Sequence, residues 1–324
     1  MKHSRSITGS PRPKPGEPFV ATVKGLDSRL LRHFLAVVEH KSFTVAAETL
    51  HMTQPALTKS IQRLEQLLGV KLIERQRNSI APTLYGQILA SRAKLVELEM
   101  AHAVSEIQAL KGGYTGTVNI GTGPSFVNYL PKAIRALQKK RPNIRIRVAF
   151  NPMHPLVSGL LSGDLDVICT AMEFPAYPDI ETVPLFEVEH SLIARADHPL
   201  ANGSAIEPRK LLAYPWITLA ENYIWSSRIG AFFAANHLPP PNTAVTVNSL
   251  ELMFAILKES DSLAALPSPL LRNARARGLA DLPMKRSLWR VQLCIAYRRA
   301  SHPTPAISAA IDALRTAFAP MQNA

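Results

Sequence analysis

Thr53-Gln54-Pro55-Ala56-Leu57-Thr58-Lys59-Ser60-Ile61-Gln62-Arg63-Leu64-Glu65-Gln66-Leu67-Leu68-Gly69 is the stretch on which the fold turns. Leu57, Ile61, Leu64 and Leu68 recur at four- and three-residue spacing, which draws one buried stripe along a helix. Thr53 can cap that helix, and Pro55 falls in its first turn, where a missing N–H costs nothing. Gln54, Thr58, Lys59 and Gln62 lie on another face. Upstream, Leu30, Leu31, Phe34, Leu35 and Val38 predict a helix that Asp27 can cap. Thr44 then caps a short helix expected to bury Val45, Ala46 and Leu50. Downstream, Val70–Ile73 reads as a strand and residues 74–79 as a turn carrying Arg75 and Arg77. A three-helix packing unit with a merely wet polar face would satisfy this pattern. So would a helix-turn-helix whose third helix enters a major groove, flanked by a basic wing. The very short link between helices two and three favours the second reading, as do amides and hydroxyls in place of Glu on the exposed face.

Ser42-Phe43-Thr44-x-Ala46-Ala47-x-x-Leu50, Thr53-Gln54-Pro55-Ala56-Leu57-Thr58, Leu64-Glu65-x-x-Leu68-Gly69 and Leu72-Ile73-x-Arg75 resemble the N-terminal signature of LysR-type transcriptional regulators. The similarity runs from about Leu26 to Gly86 and continues more weakly to about Ala319. Ile73 stands where the family usually has Phe, and Pro82 where Leu usually precedes the Thr. The resemblance implies a mixed α and α/β fold. Its parts would be a winged helix-turn-helix over 27–85, a linker helix over 86–112 and an effector-binding part over 117–320. That last part would resemble periplasmic binding proteins, with one α/β subdomain of about 117–190 and 297–320 and a second of about 191–296. DNA contacts would then fall to Thr44, Thr53, Gln54, Pro55, Thr58, Lys59, Gln62, Arg75 and Arg77.

From Thr83 to Lys111 there is no Pro, and Leu89, Ala93, Val96, Met100, Ala103, Ile107 and Leu110 alternate four- and three-residue steps. That spacing predicts a coiled-coil dimer seam of about three heptads. An amphipathic helix lying on its own domain is the competing reading. Gly112-Gly113 would end the helix as a hinge. At the other end, residues 1–26 carry five basic side chains, one acidic one and four prolines, which predicts a disordered tail.

Beyond residue 117, strands and helices alternate, which predicts a parallel sheet covered on both faces. Thr122-Gly123-Pro124-Ser125 leads from a first strand into a helix carrying Phe126, Tyr129, Leu130 and Ile134. Gly121-Thr122-Gly123 invites a dinucleotide reading, but Phe126 stands where the third glycine is needed, and the expected downstream acid is missing. What remains is a helix start whose N–H groups and Ser125 hydroxyl suit an anion. Thr122, Gly123, Ser125, Met153, Thr170, Trp225, Ser226, Arg228, Asn248 and Ser249 are the candidate cleft residues. Each of the hydroxyl and amide residues can equally be a cap. In LysR-type proteins the matching loops line the effector cleft; Met153 departs from a small polar residue there, which points either to a partly apolar ligand or to a smaller contribution from this loop.

The whole chain has 324 residues and a net charge of +13, with 37 basic against 24 acidic side chains. Residues 1–116 hold 16 basic against 9 acidic, a net of +7 over little more than a third of the length. That excess fits a polyanionic partner. Two cysteines, Cys169 and Cys294, cannot staple a fold, and no Cys or His spacing predicts a metal. Asp164 and Asp166, at a strand entrance, read as helix-end residues rather than as a paired acid and base. Neither a signal peptide nor a membrane span is readable. The expected protein is a cytoplasmic homodimer or homotetramer without cofactor. Its partners would be double-stranded DNA, a small organic acid and, at promoters, RNA polymerase. An α/β enzyme with a helical appendage and a ligand-free architectural DNA-binding protein are the rival classes.

Overall fold

Local capping builds the first helices of the computed structural model, which describes residues 26–76, 79–110, 116–201, 205–219, 223–299 and 303–319. The Asp27 carboxylate accepts the backbone N–H groups of Arg29 and Leu30 at 2.6 and 3.2 Å, starting α1 (Ser28–His40). Lys41 ends it in the left-handed region, at φ 49°. The next cap differs from expectation. Ser42, not Thr44, accepts the N–H of Val45 and starts α2 (Phe43–Thr49), so Phe43 is buried and Val45 faces outward. Thr53 occupies the cap position of α3 (Gln54–Leu68) without a side-chain bond, and Gly69 closes that helix at φ 68°. Leu57, Ile61 and Leu64 are buried against Leu30, Phe34, Val37, Ala46 and Leu72, whereas Leu68 is half-buried at the rim.

The wing begins later than the apolar run suggested. Strands β1 (Ile73–Gln76) and β2 (Ser79–Pro82) pair antiparallel, with Ile73 opposite Pro82. Residues before Ile73 serve Glu65 instead. Its buried carboxylate accepts the N–H groups of Leu72 and Ile73 at 3.0 and 3.3 Å and the Lys71 ammonium at 2.5 Å. A charge removed from water needs such partners, and here they clamp α3 to the wing.

Helix α4 (Leu84–Leu110) starts from Thr83, whose hydroxyl donates to Lys71 O at 2.7 Å and accepts the Gly86 N–H at 3.0 Å. Leu89 and Ala93, expected in the dimer seam, pack into the core of the winged unit instead, together with Ala90. The seam's other described positions are exposed: Val96, Met100 and Ile107 are 46, 52 and 56% exposed, and Ala103 is exposed. The Leu110 side chain, the Gly112-Gly113 hinge and the tail up to residue 25 lie outside the described residues.

The chain divides into two compact units, Met1–Leu98 and Glu99–Ala324. In the second, β3 (Gly116–Thr122), α5 (Leu130–Lys140), β4 (Ile144–Phe150), α6 (Met153–Ser162) and β5 (Val167–Ala171) follow the expected alternation. After them come β6 (Ile180–Arg195), β7 (Trp216–Leu219), α7 (Tyr223–Ala235), β8 (Thr243–Val247), α8 (Leu250–Lys258) and β9 (Ala264–Pro267). Helix α9 (Leu271–Arg275), β10 (Leu279–Asp281), β11 (Trp289–Arg298) and α10 (Pro305–Phe318) close the order. The main sheet runs β10-β6-β11-β5-β3-β4, with β9 also on β6. It is mixed rather than parallel: β3 pairs in parallel with β4 and β5, but β11 runs antiparallel to both β5 and β6. Strand β6 is the long spine, pairing with β11 from Ile180 to His190 and with β9 and β10 from His190 to Arg195. β7 and β8 form a separate parallel pair.

Candidate functional site

On the winged unit, α3 presents Gln54, Lys59, Gln62 and Arg63 to solvent, with Pro55 and the half-buried Thr58 between them. Gln54 Nε2 donates to Thr58 Oγ1 at 3.3 Å, so the two side chains share the start of the helix. The other side of α3 is held by Ser60 Oγ, 2.7 Å from His33 Nδ1 on α1. Glu65, the helix's one acid, is turned inward, which leaves the outward face without negative charge. Thr44 and Thr53 are exposed at the starts of α2 and α3. A convex helix bearing amides, a hydroxyl and cations can present hydrogen-bond pairs to base edges and charge to phosphates. Arg75 lies on β1 opposite Ile80 in the wing. Its side chain and all of Arg77 lie outside the described residues.

In the second unit a cleft of about 480 Å³, mouth included, opens at the C-terminal ends of β3, β4 and β5. Gly123, Ser125, Met153 and Thr170 line it as expected. The helix expected at Ser125 is only a three-residue 3₁₀ turn, Pro124–Phe126, and α5 begins at Leu130. Thr122 is buried, its hydroxyl donating to Gly123 O at 3.3 Å. Ser249 caps α8, Asn248 is exposed beside it, and neither lines the cleft. Ser226 lies exposed inside α7 rather than at its start, and the Trp225 side chain is outside the described residues.

Glu173, His190 and Val291 are among the lining residues not anticipated from sequence. Glu173 follows β5, and its carboxylate pairs with Arg228 of α7. His190 sits on β6, stacked on Trp289 with ring centroids 4.9 Å apart. Burial, with the nearby Arg228 charge, pushes its pKa down to about 3, so the ring is neutral at pH 7. The signal for His190 was present as alternation, since Glu187 and Glu189 are exposed while Val188 and His190 are buried. Nothing local marks Glu173. The other titratable candidates are structural: Asp166 accepts both the backbone and side-chain N–H groups of Asn119, and Ser162 donates to Asp164. Among the described residues no cluster of His, Cys, Asp and Glu could hold a metal, and no helix is long and apolar enough to cross a membrane.

The chain's relatives converge on one class. Residues 28–87 match the bacterial regulatory helix-turn-helix model of the lysR family, and residues 111–319 match the LysR substrate binding domain. A probable hydrogen peroxide-inducible genes activator of Streptomyces viridosporus is 35% identical over 183 residues, which is 56% of this chain and 58% of that one. The regulator GbpR of Azospirillum brasilense is 30% identical over 74% of this chain and 70% of its own. Full-length OxyR from Pseudomonas aeruginosa superposes with a TM-score of 0.68 at 25% identity, covering 90% of this chain and 95% of the other. Both model families are regulators rather than enzymes, and together they cover the winged unit and nearly all of the sheet-bearing one. The protein is a member of the LysR family of DNA-binding transcriptional regulators.

Proposed function

We propose that this regulator reads its operator through α3 and the wing and changes its output when a small anionic effector enters the cleft at the ends of β3, β4 and β5. The cleft carries this reading. It gathers the hydroxyls of Ser125 and Thr170, the apolar Met153, Phe126 and Val291, and a neutral His190 within reach of Arg228. A carboxylate entering a half-buried site needs such donors to replace its water. The cytoplasm, where bacterial DNA lies, is the compartment this role requires. Exposed Val96, Met100, Val104 and Ile107 on α4 support assembly of two chains along that helix, which would present two reading helices to two half-sites.

Several relatives are named as peroxide-inducible activators. A peroxide response through a thiol does not fit this chain's cysteines. The thiolate is the reactive form, and burial pushes the Cys169 pKa up and that of Cys294 to about 12. Cys169 faces Ile295 across the β5–β11 ladder and Cys294 faces Thr170, so the two sulfurs point to opposite sheet faces. A thermal-shift series with monocarboxylic, dicarboxylic and sugar acids, followed by DNase footprints with each stabilising compound, tests the effector reading. A stabilising acid that moves the footprint is the expected result. Stabilisation only by uncharged compounds would remove the anion from the proposal.

A further inference from the structure

The ion pair between Glu173 and Arg228 stands at the edge of the cleft, which Glu173 lines. Glu173 belongs to the loop after β5, against the β3–β5 side, while Arg228 belongs to α7, which packs with β7. Glu173 is only 15% exposed, and Arg228 is 43% exposed. One Glu173 oxygen takes the guanidinium; the other, Oε2, is buried without a hydrogen-bond partner. A half-satisfied buried carboxylate is costly to keep, so the contact is poised for replacement. A second tie joins the same two sides: Asn128 Nδ2 donates to Pro269 O and Asn273 Oδ1 at 2.5 and 2.7 Å. That tie is uncharged and independent of any anion. Among the described lining residues, Glu173 is the only one carrying charge at neutral pH, because the His190 ring is neutral. An entering anion therefore meets a negative wall whose cation is already taken.

We propose that Glu173 is a built-in occupant of the Arg228 subsite, and that the effector signals by substituting its own carboxylate for that of Glu173. This rests on the anionic-effector reading above and adds the residue it must displace. With Arg228 turned to the effector, Glu173 no longer links the β3–β5 side to α7, and the equilibrium between cleft states shifts by the difference in affinity. Selectivity follows from the same competition. A compound without an anion has no means of replacing Glu173 on the guanidinium, however well it fills the apolar part of the cleft.

Glu173→Gln keeps the side chain's shape and removes its charge. In the full-length protein without ligand it should give the footprint that an effector induces in wild type. Arg228→Gln should shift the footprint in the same direction, and the swap Glu173→Arg with Arg228→Glu should return it toward wild type. Benzoate, used as a monocarboxylate probe, should bind Glu173→Gln about tenfold more tightly than wild type and fail on Arg228→Gln. A ligand-free Glu173→Gln footprint identical to wild type, with unchanged benzoate binding, overturns the proposal. A shifted footprint in both single variants, with restoration by the swap but no carboxylate bound by any form, upholds the latch and removes the anionic effector. A swap that folds yet leaves the footprint shifted overturns the pairing itself.

Discussion

A Cβ placed on Gly121 would lie 2.6 Å from Leu156 Cδ2 and 2.7 Å from Leu165 Cδ1, whereas one on Gly123 meets nothing nearer than Cys169 O at 3.9 Å. The first glycine of the Gly-x-Gly pair therefore lets α6 pack against β3, and the second leaves the cleft floor open. Gly121→Ala should cost about 1–3 kcal/mol in urea unfolding, while Gly123→Ala stays near wild type. Equal losses at both positions would mean that the turn, not the packing, needs glycine. His190 makes a separate prediction. The unfolded chain protonates this ring near its ordinary pKa of about 6.5, but the folded protein resists until about 3. Between those values the unfolded state binds more protons, so stability falls as the solution is acidified below 6.5. The slope is about 1.4 kcal/mol per pH unit, and the nearby Arg228 charge adds to burial in opposing protonation. Urea melts at pH 6.5 and 5.0 should differ by about 2 kcal/mol more in wild type than in His190→Gln. An unchanged difference would place the acid-sensitive group elsewhere. The two thiols should stay silent to a thiol reagent until the protein is unfolded, and peroxide should leave the footprint where it is. A fast native-state reaction at either cysteine would reopen the thiol route.

On the proposed reading, base contacts and phosphate contacts divide along one face of α3. Gln54, at its start, has the amide geometry that pairs with adenine N6 and N7, so Gln54→Ala should relax preference at one operator position by about 1–3 kcal/mol. Lys59→Ala should weaken all sequences alike and lower the salt slope by about one. Selection from randomised operators, run at two salt concentrations, reads both effects; unchanged preference in Gln54→Ala would place the base contacts elsewhere. The three helices of this unit were legible because their signals are local: Asp27 and Gly69 mark ends, and the leucine stripe repeats within one helix. Even so, Ser42 and Thr44 compete for the same cap, and spacing alone chose the wrong one. The Glu65 clamp was hidden because its donors come seven and eight residues later, from a run that reads as strand. Strand β6 was not legible as one long element. Its first part, Ile180 to His190, contains Pro184 and three glutamates, and it is held by β11, which returns from about a hundred residues away. Nothing in the sequence of one strand names the distant partner it pairs with, so the sheet was expected to be parallel. The cleft was legible in part for the same reason. Loops after β3, β4 and β5 follow from strand order, but Glu173 and Arg228, 55 residues apart, meet only in the folded protein.

At the scale of the whole molecule, one winged unit offers one reading helix, and specific operator binding by this family's architecture calls for two half-sites engaged together. Along α4 the positions after Ala93 divide the competing readings of the helix. Val96, Met100, Val104 and Ile107 are each 46–56% exposed, which fits a seam that a second chain would cover. Apolar side chains at that spacing bury their surface if a second copy of the helix lies alongside. Replacing Val96 and Met100 together with Asp puts four like charges into such a seam, two from each chain. In the isolated chain the same residues face water, so the variant's own fold should be undisturbed, and its far-UV spectrum should match wild type. Sedimentation should then show a single chain where wild type shows two or four. Operator affinity should fall by about 100-fold or more, because the second half-site contact is no longer tethered to the first. Contact with one half-site should persist with the same Gln54-dependent preference. An assembled variant with full operator affinity would show that the exposed stripe of α4 serves some other surface and that the two reading helices are joined elsewhere.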